Sequence, residues 1–355
     1  MIVPGETQMS PKRQAKRIRP FVPSRIYNFV RSRQLEGTFS GSRKTGVWPI
    51  TAMRISRGWG AVPESRWPYP AKGSAWPPVE PPDMDKLARW NRIWIYERLR
   101  SINDCRTIMG IWKRPVLVSF NITDEWYHPP KGRIPFPSRA FMGSHCVSLF
   151  GYDDNKQEFK FLNSWGQGWG DGGWGYIDYR TFQSTWVEGW TFDLDPSVEK
   201  FPKEKQGKTR IHWWGVPDCL NGVFHGVEIV GPDSERIAWL FAVEREEFLD
   251  VEELFVRPEH RNKGNARRLV HQLHDKLAEQ SGKQIRYWVP FPDTAHETLT
   301  VFQRLIAPFG FSLRPSEVRW AAYEASNGSK TIPTQAGTKA EAERPGSPFW
   351  PPNEQ

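Results

Sequence analysis

The 355-residue sequence predicts two domains of mixed helix and strand, an α+β half followed by a mixed α/β half. Three observations carry this. The length exceeds what one compact core usually serves. Residues 193–208, DLDPSVEKFPKEKQGK, are charged, nearly free of aliphatics and broken by Pro196 and Pro202, as an interdomain linker is. On either side lie patterns of different kinds: an antiparallel hairpin around 145–163, and a strand, tight turn and helix over 249–277. The expected division is 1–195, a linker at 196–208, a second domain at 209–325 and a disordered tail at 326–355.

Composition narrows the classes. The 38% hydrophobic content, with 19 Trp and 21 Phe, can fill two cores. No apolar run reaches membrane-spanning length, and the N-terminus shows no secretory signal. Cys105, Cys146 and Cys219 offer neither a disulfide framework nor paired metal-ligand spacing, so the expectation is a reducing cytoplasm and no metal. The net charge of +9 admits anionic partners, but no basic motif interleaved with aromatics is present, which argues against nucleic acid.

In the first half, helices are expected near 26–33, 48–59 and across 84–111, and a buried strand at Val116–Ile122. The turn Asp153-Asp154-Asn155-Lys156 folds His145–Gly151 against Phe159–Asn163. That folding brings the His145 imidazole toward the Asn163 carboxamide, within one residue of register. In the segment NSWGQGWGDGGWGYIDY, six glycines alternate with aromatics, so tight turns can set indoles over a cleft.

Gly143-Ser144-His145, Gly151-Tyr152-Asp153-Asp154 and Asn163-Ser164-Trp165-Gly166, with Gly168-Trp169-Gly170, resemble the second half of papain-like cysteine peptidases. PSRIYNFVRSRQLEG, Trp67-Pro68-Tyr69 and RPVLVSF extend the resemblance over about 21–192. It implies a helical lobe beside a β-rich lobe, a histidine that carries a proton and an asparagine that orients it. The family's Gln and Cys-Gly-Ser-Cys-Trp-like helix have no counterpart before Pro23. Cys146 adjoins His145 on one strand and points to the other face; Cys105 and Cys219 match no nucleophile context. Two expectations stay open. Either this is a peptide-binding pseudo-peptidase with His145 and Asn163 as its remnant, or the nucleophile is encoded upstream of Met1.

In the second half, Leu249, Val251 and Phe255 alternate with Asp250, Glu252, Leu254 and Val256, which assigns them to opposite faces of a strand that Pro258 ends. Arg261-x-x-Gly264-x-Ala266 then opens a helix whose Leu269, Val270, Leu273 and Leu277 recur at helical spacing. A small-residue turn entering a helix leaves N–H groups free for phosphate. In this setting the turn resembles motif A of the GNAT superfamily, the acetyl-CoA-dependent N-acyltransferases. The resemblance covers about 209–325. It implies acetyl-CoA as co-substrate and an amine of a peptide, protein or small molecule as acceptor.

The resemblance also implies site residues. The backbone of Leu254, Phe255 and Val256 holds the pantetheine and the acyl carbonyl. The N–H groups of Asn262, Lys263, Gly264, Asn265, Ala266 and Arg267 meet the pyrophosphate, with Arg261 and Lys263 adding charge. VEELFV is similar to the LEDFFV-like strand of polyamine acetyltransferases, which selects Glu252 over Glu253 as base, the two acids being expected on opposite faces. Where the family places a tyrosine as thiolate acid this chain has Phe302, leaving water or Tyr323 for that role.

Overall fold

The structure is a computed structural model. It describes residues 22–39, 46–194, 209–218, 222–232, 235–275, 283–290, 304–309, 311–314 and 320–325, apart from 72 and 77. The linker at 196–208, the tail at 326–355, Cys219 and Phe302 lie outside the described residues.

The first domain begins with two helices, α1 (Arg25–Leu35) and α2 (Pro49–Gly58). Ser24 caps α1 by accepting from Tyr27 N at 3.1 Å. Short α3 (Met84–Ala88) leads into β1 (Ile93–Leu99), followed by α4 (Ile102–Thr107), a π-turn at Ile108–Trp112 and β2 (Val116–Ile122). The expected helix across 84–111 is thus interrupted by a strand. Ile93, Ile95 and Leu99 recur every second or fourth residue, a period of two that a β-branched run favours. What fixes it is its partner, β6, almost a hundred positions later. Next come β3 (Gly143–Asp153), β4 (Glu158–Leu162), β5 (Trp174–Asp178), α5 (Tyr179–Thr185) and β6 (Trp186–Leu194). The sheet order is β1-β6-β2-β3-β4-β5, antiparallel throughout. Phe120, Phe159, Phe161, Phe182 and Trp126 fill the core beneath it.

The second domain contains β7 (Arg210–Asp218), β8 (Gly222–Val230), β9 (Arg236–Glu244), β10 (Phe248–Val256), α6 (Asn265–Leu273), β11 (Gln284–Pro290), β12 (Phe311–Arg314) and β13 (Trp320–Ala325). Its sheet runs β12-β13-β11-β10-β9-β8-β7. Only β10 and β11 pair in parallel.

Both faces of this sheet are buried, each by a different partner. On one face, Val227, Ile229, Leu240, Ala242, Leu249 and Val251 pack under Leu269, Val270 and Leu273 of α6. On the other, Phe224, Trp239, Phe241, Val243 and Phe255 share a core with Ile50, Met53, Ile55, Ile93, Ile95 and Tyr96 of the first domain. Gly58 permits this approach, since a Cβ there would lie 3.0 Å from the Trp239 ring.

The alternation read for 249–256 is broken by a β-bulge. β10 pairs with β9 as Val251↔Ala242 and then Glu253↔Phe241, so Glu252 is an extra residue. The bulge moves Phe255 to the face opposite Val251, into the interdomain core. It also corrects the expectation that Glu252 and Glu253 face opposite ways, because both carboxylates find first-domain partners.

Two arginines of α2 cross this core. Arg54 meets Glu253 at 2.9 and 3.3 Å, and the Tyr96 hydroxyl donates to the same carboxylate at 3.0 Å. Arg57, fully buried, donates to Glu228 at 2.7 Å, and Arg236 reaches that carboxylate at 3.2 Å. Both α2 guanidiniums lie over rings, Arg54 5.0 Å from Phe255 and Arg57 4.7 Å from Phe241. Burial alone raises the Glu228 carboxyl; Arg236 and Arg57 outweigh it and hold it down to about 2.

Removing one partner from a buried ion pair leaves an uncompensated charge. Glu253→Ala is therefore expected to cost about 3–5 kcal/mol in urea unfolding of the full chain. Acid supplies a second check. The Glu228 carboxyl is depressed in the fold, so its contribution is complete above the ordinary 4.5 and is lost as pH falls toward 2. Wild type is expected to lose on the order of 3 kcal/mol more than Glu228→Gln across that window, measured by denaturation at stepped pH.

Candidate functional sites

The first site forms where β3 begins. His145 lies opposite Phe120 in the β2–β3 ladder, and β4 delivers Asn163 just past its last paired residue. The β3–β4 register matches Ser148 with Leu162, so His145 and Asn163 are offset by two positions and meet diagonally. His145 Nε2 lies 2.8 Å from Asn163 Oδ1. A carboxamide oxygen only accepts, so Nε2 carries the hydrogen, and in the neutral ring Nδ1 keeps a basic lone pair.

Asn163 is 6% exposed and is fixed from several sides. Its Oδ1 also accepts from Ser164 N at 2.8 Å, and the Asn163 backbone N–H donates to Gly173 O at 3.0 Å. The glycine-rich loop supplies that carbonyl through left-handed turns at Gly166, Gly170, Gly172 and Gly173. Trp165 covers the imidazole at 4.7 Å between centroids, Tyr127 stacks on Trp165 at 5.2 Å, and Trp169 Nε1 donates to Trp126 O at 2.7 Å. Burial pushes the His145 pKa down, and the bond to Asn163 partly offsets this. Burial raises the thiols of both Cys105 and Cys146, so neither is poised as a thiolate. Trp126 and Tyr127 escaped sequence reasoning because they reach the site from a 3₁₀ turn about twenty positions before His145.

The second site lies on β10. Strand β11 pairs with β10 only from Phe248↔Gln284 to Val251↔Tyr287. Beyond Val251, β11 continues against β13, while β10 stays with β9. Among the described residues the sheet therefore opens beside Glu252–Val256, and the main chain of Leu254, Phe255 and Val256 has no β11 ladder there. The Phe255 side chain turns away into the interdomain core, and Arg261 Nε donates to Val256 O at 3.1 Å.

Past this gap a 3₁₀ turn, Pro258–His260, leads into α6. Asn262 and Gly264 take left-handed φ values of 59° and 74°, and a Cβ on Gly264 would meet nothing within 4 Å. The first helical bond is Arg268 N to Gly264 O at 3.0 Å, which leaves the N–H groups of Asn265, Ala266 and Arg267 at the open helix end. Asn265 staples the turn by donating to His260 O at 2.9 Å, and Lys263 Nζ donates to Glu259 O at 2.9 Å. Arg261, Asn262, Lys263, Gly264 and Arg267 are exposed around this turn.

Glu252 sits at the inner end of the gap, and Arg100 of the first domain donates to both its oxygens. Arg100 was not legible as a site residue, since 152 positions separate the pair and no local pattern marks it. Tyr323 is on β13 opposite Tyr287 and Leu313. Glu235, Glu259 and His260 bring donor atoms within 4.8 Å of one another, but Arg257 already pairs with both carboxylates at 3.0 and 2.6 Å. No helix among the described residues is long and apolar enough to cross a membrane.

Comparisons with known proteins match two families in succession along the chain. The model of the papain family of cysteine proteases matches residues 40–188, and that of the GNAT acetyltransferase family matches 180–305. An uncharacterised peptidase C1-like protein of Acanthamoeba polyphaga mimivirus is 25% identical over 175 residues, 45% of this chain and 54% of that one. The chain thus spans about half the length of this curated relative. Among solved structures, xylellain, a cysteine protease from Xylella fastidiosa, matches with a TM-score of 0.46 and 23% identity, over 52% of this chain and 74% of its own. The PaiA N-acetyltransferase from Thermoplasma acidophilum, solved with coenzyme A, matches with a TM-score of 0.24 and 16% identity, over 29% and 60%. A papain-like domain is followed by a GNAT-like domain.

The His145–Asn163 bond has a spectroscopic signature. Nitrogen-15 NMR of the imidazole is expected to show hydrogen on Nε2 at neutral pH and a titration midpoint below the ordinary 6.5. Asn163→Ala removes the contact that favours the charged ring, so the midpoint is expected to fall further.

Proposed function

We propose that the chain is an acetyl-CoA-dependent N-acyltransferase acting on an amine of a peptide, protein or small molecule. The observation that carries the reading is the opening of the sheet beside Leu254–Val256, continuous with the bare start of α6 at Gly264. An extended chain of amides fits the unpaired edge of β10, and a pyrophosphate fits the exposed N–H groups of Asn265, Ala266 and Arg267 with their helix dipole. Arg267 and Lys263 add positive charge nearby, while Arg261 also ties the turn back to Val256.

Bound there, acetyl-CoA supplies an acyl carbon activated by a thioester. The attacking amine must be neutral, a C–N bond replaces the C–S bond, and the amine's proton leaves as the thiol is formed. We assign Glu252 as the group that accepts that proton, because it lies at the inner end of the gap. Tyr323 or water completes the transfer to sulfur. The papain-like domain, with His145 and Asn163 paired and no low-pKa thiol among the described residues, serves in this reading to hold peptide. The protein acts in the cytoplasm.

A second reading is peptide hydrolysis, favoured by the ready Nδ1 of His145. It requires a thiolate beside that nitrogen, which neither Cys105 nor Cys146 supplies.

Calorimetric titration of the full chain with acetyl-CoA tests the first reading. Saturable binding is expected in wild type, and Gly264→Glu should abolish it. The new carboxylate projects into the open space at the turn, repels phosphate and strains a positive-φ position. A folded wild-type chain that binds no acetyl-CoA refutes the proposal.

A further inference from the structure

Glu252 is the one residue of β10 that both neighbouring strands leave without a backbone partner. The β9 register skips it, and the β11 pairing has already ended at Val251. A residue inside a ladder has its side-chain direction set by the pleat, whereas the extra residue of a bulge does not. The direction of the Glu252 carboxylate is therefore left to side-chain contacts, and the first domain provides one. The Nη2 of Arg100 lies between Oε1 and Oε2, at 2.5 Å from the latter.

Arg100 is itself built to be still. Its backbone N–H donates to Asp104 Oδ2 at 2.7 Å. The same carboxylate closes the capping box of α4, accepting from Ser101 N at 3.1 Å while Ser101 Oγ accepts from Asp104 N at 3.0 Å. Burial works against the Arg100 charge, but Glu252 outweighs it, so the guanidinium is held more firmly protonated than usual. Arg98, near the end of β1 and half-buried, lies close enough to feel Arg100, Glu252 and Glu188.

Position separates this pair from the other interdomain ion pairs. Arg54–Glu253 and Arg57–Glu228 are sealed, with every side chain at 6% exposure or less, whereas Arg100 is 31% exposed. Glu252 itself is only 9% exposed, so the pair opens to solvent on its arginine side alone. What distinguishes it is its placement, on the unguided residue at the end of the gap.

We infer that Arg100 is a positioning residue of the acyl-transfer site, aiming the Glu252 carboxylate at the incoming amine, so that the two domains together compose one active site. The inference rests on the acyltransferase reading and adds to it a requirement for the papain-like domain. Neither half of the site is complete alone: the second domain carries the gap and Glu252, and the first carries the group that orients Glu252.

The test uses full-length wild type, Arg100→Gln, Arg100→Lys, Glu252→Gln and the Arg100→Gln/Glu252→Gln double variant. Thiol release from acetyl-CoA is followed with a mixture of free-amine tripeptides as acceptor, and acetyl-CoA affinity is read by calorimetry. Arg100→Gln is expected to lower kcat by about tenfold to a hundredfold, a part of the roughly 10²–10⁴-fold that an aligned general base supplies. Its acetyl-CoA Kd should stay within about twofold, since the phosphate turn is untouched. Arg100→Lys restores most of the rate. The double variant is no slower than Glu252→Gln, because the two residues act as a unit. Wild-type kcat in Arg100→Gln, a rise in kcat, or losses that multiply in the double variant each overturn the inference. So does a wild type that binds acetyl-CoA yet releases no thiol, whereas a wild type that binds no acetyl-CoA overturns the acyltransferase reading itself.

Discussion

Two arginines on one short helix determine how the rest of the molecule is arranged. Arg54 and Arg57 leave α2 on the side facing the second sheet and end on Glu253 and Glu228, with aromatic rings beneath both guanidiniums. A charge in such a place is costly unless its partner is there too, so the ion pairs specify one docking of α2 on the sheet and disfavour others. The apolar side chains around them supply the driving force for burial, and the arginines supply the register. Tyr96 and Trp239 extend the network, the indole donating to the tyrosine hydroxyl at 3.2 Å and the hydroxyl donating to Glu253. The second sheet is consequently covered by its own α6 on one face and by the neighbouring domain on the other.

Much of the local structure could be read in advance, because it depends on local chemistry. The turn from β10 into α6 follows from Pro258, Gly264 and the apolar spacing of Leu269, Val270 and Leu273. The hairpin that brings His145 to Asn163 follows from its turn residues and alternation.

The features that escaped the sequence are the long-range ones. β1 was hidden inside an expected helical region because its partner β6 lies far along the chain. The face occupied by Phe255 was misread because one extra residue at Glu252 reverses the alternation, and a bulge leaves no mark in an apolar pattern. The pairing of Arg100 with Glu252, and of α2 with the second sheet, joins segments whose separate patterns contain no reference to each other. Sequence periodicity reports which face of an element is apolar, but not which apolar surface it will meet.

The early end of the β10–β11 ladder has a wider consequence. Unpaired strand edges at the rim of a sheet invite other chains to add on, which is a hazard for a soluble protein. Here the unpaired stretch lies in mid-sheet, between β9 and a strand that has turned toward β13. Among the described residues this stretch is flanked by strands of its own sheet. On the acyltransferase reading, a slender ligand bearing amides takes the place of the missing strand there. In that reading the strand-like hydrogen bonding is kept inside the sheet, away from the rim where other chains add on.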